Sequence, residues 1–143
     1  MKGFGFMLSD RNSLPAGMVY VMTNSVDNNE IAAFRWVQNG TLTLIGFYST
    51  HGLGTGSRKV SLATPNNGVD PLTSQGSLIL SRDGRFLFAV NAGSHSVSSF
   101  GVAVGGELIL VDVVPSGGLQ PNSMAVYGDL LYVSNVGSSE NGY

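Results

Sequence analysis

Three short apolar runs in this chain each close on an asparagine. Val19-Tyr20-Val21-Met22-Thr23 ends at Asn24, Phe86-Leu87-Phe88-Ala89-Val90 at Asn91, and Leu130-Leu131-Tyr132-Val133-Ser134 at Asn135. After the first two, a second run reaches a phenylalanine, Phe34 or Phe100. Eight residues later a leucine, Leu42 or Leu108, opens a third run. Self-similarity on this scale marks a repeat architecture, in which one unit cannot bury its own faces and must pack against neighbours.

The second copy is the cleanest. Ser77–Leu80 is a short aliphatic run, Arg82-Asp83-Gly84 is turn chemistry, and Arg85–Asn91 is the next strand. Ala92–His95 turns into Ser96–Val102. Gly105-Gly106 suits a two-residue primed hairpin turn into Glu107–Val114. Four antiparallel strands in about 40 residues make one propeller blade. The first copy shows only the second to fourth strands, Met18–Asn24, Glu30–Trp36 and Thr41–Tyr48, with Asn39-Gly40 in the place of Gly105-Gly106. The third copy shows its first two, Ser123–Tyr127 and Leu130–Asn135.

The expected fold is therefore all-β: a partial β-propeller of about two and a half four-stranded antiparallel blades. It forms one incomplete domain over 1–143, with blades at 18–49, 76–114 and 122–143. Asn24 and Asn91 are 67 residues apart and Asn91 and Asn135 only 44, an excess of 23 placed mainly in Thr50–Ser74. Residues 50–75 thus read as an inserted loop, and loops of that length are usually functional or disordered. No stretch holds a helical apolar period, so no helix is expected. A β-sandwich also uses short strands and turns, but the repeat spacing favours the propeller.

Composition narrows the chemistry. Charged residues are 11% of the chain against roughly 25% in a typical soluble domain, and 20 glycines fit tightly turned sheets. A net charge of −2 gives no electrostatic case for nucleic acid. With no cysteine, disulfides, thiolate catalysis and cysteine–zinc sites are excluded. Two histidines and scattered carboxylates give no expected metal site, and no cofactor is expected. No run approaches the ~20 apolar residues of a membrane helix, and Ser9-Asp10-Arg11-Asn12 cuts the N-terminal apolar patch too early for a secretory signal. The expected location is cytoplasmic, without a membrane partner.

Pro71–Leu78, then Ser81-Arg82-Asp83-Gly84-Arg85-Phe86-Leu87-Phe88-Ala89-Val90-Asn91-Ala92-Gly93-Ser94, resembles the lactonase-type β-propeller family. That family includes propeller 6-phosphogluconolactonases and fungal carboxymuconate lactonising enzymes. Pro115-Ser116-Gly117-Gly118 followed by Pro121-Asn122-Ser123 resembles its blade-to-blade link. The resemblance covers roughly Met18 to Asn135 and implies a seven-bladed parent more than twice this length, of which this chain is the N-terminal part. The family's catalytic His, Glu and Arg lie in later blades. No position here matches them, and none is carried over.

In a propeller the first strand of each blade lines the channel, and strand direction alternates. Turns between strands two and three, and the links between blades, therefore share one end of the sheets. That end is expected to hold His51, Arg58, Lys59, Asp70, Gln75, Asn91, His95 and Asn122. His51, His95 and Arg58 are the catalytic candidates. Gln75, Asn122, Asp70 and Lys59 are the ligand-binding candidates. Asn24, Asn91 and Asn135 read as a repeated structural hydrogen bond. Gly52–Lys59 is not a phosphate loop, because Arg58 stands where the glycine before the lysine belongs.

The resemblance implies a parent that opens or closes a lactone of a sugar acid or small dicarboxylate, with this chain alone inactive. The alternative is a non-catalytic propeller that binds a ligand or protein partner through the 50–75 loop face. Unpaired sheet edges in either case lead to self-association as an expectation.

Overall fold

The computed structural model describes residues 17–37, 39–57 and 71–137. These form nine strands in three antiparallel sheets taken in chain order. The first holds β1 (Gly17–Met22), β2 (Glu30–Trp36) and β3 (Leu42–Ser49). The second holds β4 (Leu78–Leu80), β5 (Phe86–Asn91), β6 (Ser96–Val102) and β7 (Leu108–Pro115). The third holds β8 (Pro121–Tyr127) and β9 (Leu130–Asn135). No helix occurs among the described residues. The fold is all-β, a partial propeller.

Register shows that the sheets are copies. Val19 pairs with Phe34 as Leu87 pairs with Phe100, and Trp36 faces Leu42 as Val102 faces Leu108. Both outer pairs carry a bulge at the same step. Ile45 is left unpaired opposite Ala33/Phe34, and Val111 opposite Ser99/Phe100. A bulge turns the outer strand and increases local twist. In the inner pairs, Leu78 faces Ala89 as Met124 faces Val133.

Two expectations need correction. Asn91 and Asn135 occupy equivalent places, but Asn24 does not. Met22 pairs with Ile31 as Val90 pairs with Val97, so the counterpart of Asn91 is Thr23. The turn after it, Asn24–Asn29, is two residues longer than Ala92–His95, and Asn24 takes a left-handed conformation (φ 53°) that asparagine tolerates. The Gly105-Gly106 hairpin is also not a two-residue primed turn, either type of which would need positive φ at the first central residue, Gly105. Only Gly106 has it (φ 90°). Gly106 N–H donates to Ala103 C=O and Ala103 N–H to Glu107 C=O, the longer loop that ends in a left-handed glycine. Gly40 (φ 85°) closes the equivalent turn.

Each blade has a leading face toward its predecessor and a trailing face toward its successor, because side chains alternate along a strand. Tyr20, Met22, Ile31 and Tyr48 on the trailing face of the first blade pack on Leu87, Ala89, Phe100 and Leu108 on the leading face of the second. Phe88, Val90 and Val97 on the trailing face of the second pack on Met124, Leu131 and Val133 of the third. Ile31, Ala89, Val90 and Phe100 are at most 1% exposed. The Tyr20 hydroxyl donates to the Gly106 carbonyl at 2.9 Å, and Arg35 Nη2 to the Gly105 carbonyl at 3.2 Å, joining the first blade to the β6–β7 turn.

Candidate functional site

The turns β1–β2 and β5–β6 share one end of the sheets with the links that leave β3 and β7. Backbone bonds stitch them together there. Gly93 N–H donates to Leu53 C=O, Gly54 N–H to Ser25 C=O, and Gly137 N–H to Leu119 C=O. The expected gathering of loops at one end is therefore present.

Beneath these loops lies a buried polar cluster. Asn29, Thr50, Asn91 and Ser98 are fully buried. Asn29 Nδ2 donates to Asn91 Oδ1 and to the Val90 carbonyl, both at 3.0 Å. Thr50 Oγ1 lies 2.7 Å from Asn91 Oδ1 and 2.8 Å from the Asn29 carbonyl. Asn91 Nδ2 donates to Ser98 Oγ at 2.7 Å, and Ser98 Oγ donates to the Thr50 carbonyl at 2.6 Å. A β-carbon on Gly52 would collide with the Asn91 side chain, so the link can cross here only as glycine. Buried polar groups are expensive unless paired, and here each partner satisfies another. The cluster fastens the exit of the first blade to the second. Ser116 repeats it more openly, with Oγ 2.7 Å from Asn135 Oδ1 and Asn135 Nδ2 donating back to the Ser116 carbonyl at 3.2 Å.

The repeated asparagine bond thus holds at Asn91 and Asn135. Sequence reasoning missed Asn29, Thr50 and Ser98. A hydroxyl two residues before a glycine at both blade exits, Thr50/Gly52 and Ser116/Gly118, was the available signal.

The two histidines sit on adjoining loops of this end, both in the left-handed region (φ 56° and 57°). His51 is exposed. The loop that follows it crosses the β5–β6 turn, where Leu53 N–H donates to Ser94 Oγ at 3.0 Å. His95 is half-buried, and its Nδ1 accepts the Gln120 amide at 3.0 Å. A neutral imidazole has one donor and one acceptor nitrogen. The hydrogen-bond network therefore assigns the proton of neutral His95 to Nε2. So held, its remaining nitrogen is a donor, suited to a carbonyl or carboxylate oxygen and unsuited to abstracting a proton.

Gln75 is exposed. Asn122 is half-buried near the start of β8, and its Nδ2 reaches the Leu72 carbonyl at 3.4 Å. Its Oδ1 is buried and without a partner. The Gln120 bond brings His95 to the segment that carries Asn122, whereas no described contact joins His51 to either. Arg58, Lys59 and Asp70 lie outside the described residues. Among the described residues, no three His, Asp or Glu side chains could hold a metal ion.

The opposite end is simpler. Asp83 accepts from Ser81 Oγ (2.7 Å), Arg85 N–H (3.1 Å) and Arg85 Nε (2.6 Å), and these bonds hold its carboxyl well below the usual range. The pair is exposed and closes the β4–β5 turn. A groove of about 930 Å³ opens beside it, between Phe88, Ser99 and Val111 of the second blade and Val126, Leu130 and Leu131 of the third. It lies beside a third sheet with two described strands, where the outer strands of a four-stranded blade would pack. It opens at the end of the sheets opposite the histidine loops.

Two comparisons bear on this geometry, and a search of curated proteins finds no match. The solved structure of a Lactobacillus plantarum protein superposes with a TM-score of 0.54 at 21% identity, over 83% of this chain and 33% of the other. The present chain thus spans about a third of that structure's length. At this identity the match speaks for the fold. A family model described as "Lactonase, 7-bladed beta-propeller" matches residues 28–141. With successive blades, shared bulge positions and repeated asparagine fastenings already in view, the chain belongs to the lactonase family of seven-bladed β-propellers.

Proposed function

We propose that these residues form a sector of a propeller that hydrolyses or forms a lactone of a sugar acid or small dicarboxylate. The observation that carries this reading is the family match over residues 28–141. Lactone chemistry needs a group that moves a proton and donors that steady the developing oxyanion. His95 suits the second role through Nε2–H, because Nδ1 is already occupied by the Gln120 amide. Gln75 is exposed ahead of β4 and suits a contact to a ligand hydroxyl, whereas the Asn122 amide is turned inward, its Nδ2 on the Leu72 carbonyl and its Oδ1 buried. The proton-moving group then comes from other blades, and this chain alone is inactive.

The test is turnover of gluconolactones and muconolactones by a complete propeller containing this sector, followed by proton release or uptake. Turnover that falls in His95→Ala and survives largely in His95→Asn supports the donor assignment. An absence of turnover on both lactone classes removes the enzymatic reading. What remains is a propeller that binds a ligand or protein partner through the 50–75 loop face. Loss of binding on deletion of that loop would support this second reading.

A further inference from the structure

We infer that His95 is a pH-sensitive latch on the link that leaves the second blade: its neutral ring holds the Gln120 amide, and a proton on that ring lets the amide go. Internal repetition exposes the device. Gly93 N–H donates to the Leu53 carbonyl as Gly137 N–H donates to the Leu119 carbonyl, so Gly54 and Gln120 hold equivalent places in the two links. Each sends its amide into the turn between the second and third strands of its own blade. Gly54 N–H meets the Ser25 carbonyl at 2.6 Å. Gln120 N–H meets His95 Nδ1 at 3.0 Å. The β5–β6 turn is two residues shorter than the β1–β2 turn, and a side chain takes the place of the missing main-chain carbonyl.

A carbonyl accepts whatever the pH, whereas an imidazole nitrogen accepts only while the ring is neutral. When a solvent proton binds Nδ1, the lone pair that received the Gln120 amide is used up and both ring nitrogens are donors. Donor then faces donor, and the bond is lost. Ser116 N–H still holds the His95 carbonyl at 2.9 Å, so the main chain stays tethered when the ring lets go. What the ring held is a strained piece of chain. Gln120 is left-handed (φ 53°) although it is not glycine and stands directly before Pro121, whose ring favours an extended backbone in the residue ahead of it. Such a conformation persists only while its surroundings enforce it. Here the amide is held by His95 and the carbonyl by Val136 N–H at 3.1 Å. Charge around the ring is sparse. The rest of the β5–β6 turn, the 116–120 link, the crossing residues Gly52–Gly54 and Asn135–Gly137 carry no ionisable side chain. On the adjoining loops the titratable groups are His51, Asp27 and Glu30, and no described hydrogen bond joins them to His95; Arg58, Lys59 and Asp70 lie outside the described residues. The latch rests on this geometry and not on the lactone reading.

The experiment is a titration of this chain from about pH 8 to about pH 5, followed by nitrogen–proton NMR of the backbone amides and the histidine rings. At the alkaline end the His95 ring carries its proton on Nε2. On acidification the Gln120 amide resonance moves with the midpoint of the His95 ring, and its exchange protection falls on the order of tenfold relative to Gly54. Gly54, held by a carbonyl, keeps its protection. His95→Asn retains an acceptor oxygen, suits the left-handed backbone (φ 57°) and does not titrate. In that variant the Gln120 amide is independent of pH, whereas His51→Asn leaves the wild-type titration in place. A Gln120 amide that ignores the His95 titration overturns the proposal, as does one that still titrates in His95→Asn. None of these readouts depends on turnover, so the latch and the lactone reading fail separately.

Discussion

The first and second blades follow one plan in two environments. Their strands share register, bulge position and hairpin type. Yet Phe100 is 1% exposed while its counterpart Phe34 is only half-buried, and Leu108 is buried while Leu42 is half-exposed. Local sequence is the same in kind, so the difference comes from the neighbour. The second blade has a predecessor on its leading face, and none covers that face of the first among the described residues. A blade is a sheet with two apolar faces, and its stability is a nearest-neighbour quantity.

That contrast is open to direct attack. Leu108→Ala removes a buried side chain from the first–second interface and costs about 2–4 kcal/mol by urea denaturation. Leu42→Ala costs under about 1 kcal/mol, the range of surface substitutions. Equal costs would mean that the leading face of the first blade is covered after all. Asn91→Ala removes the partner shared by Asn29, Thr50 and Ser98, each of which keeps one bond to the Val90, Asn29 and Thr50 carbonyls respectively, and costs about 0.5–1.5 kcal/mol for each bond lost. The same change at its counterpart, Thr23→Ala, removes only exposed bonds and costs about 0.5–1 kcal/mol.

Smaller effects sharpen the picture. Gly106→Ala and Gly40→Ala both strain a left-handed position, at about 1 kcal/mol each. Gly106→Ala costs slightly more because Met18 must swing aside. A thermal-melt series that ranks Gly40→Ala as the worse substitution would contradict the assignment of covered and open turns. The smallest effect is at alkaline pH. Partial burial, then the nearby Tyr48 and Glu107, raise the Tyr20 phenol above its ordinary 10.0. An acid whose folded value is raised stabilises the fold below its unfolded value and loses that contribution as pH climbs through the folded one. Stability should therefore decline above pH 10, and Tyr20→Phe should flatten the Tyr20 share of that decline.

The strands were legible because short apolar runs between glycine-rich turns dictate little else, and the copies because Phe34/Leu42 and Phe100/Leu108 keep equal spacing. Asn24 misled because one residue type serves two purposes. Asn91 is a buried hub that joins two blades, whereas Asn24, left-handed in a longer turn, bonds Thr55 and Gly56 of the link that leaves its own blade. The bulges at Ile45 and Val111 left no trace, since an aliphatic residue continues the run whether or not it is paired. The site was legible only as an end of the sheets. Proton placement on His95 depends on an amide 25 residues away, and spacing carries no information about it. Thr50 and Asn29 escaped because small polar residues in loops are common, and only packing reveals which are buried.

Amide hydrogen exchange, resolved strand by strand, separates the two blades most directly. β5 is paired on both sides, whereas β1 is paired only with β2 among the described residues. Protection is predicted throughout Phe86–Asn91, with fast exchange at alternate amides of Gly17–Met22. If β1 proved as protected as β5 along its whole length, the unpaired inner edge assigned to the first blade would be wrong.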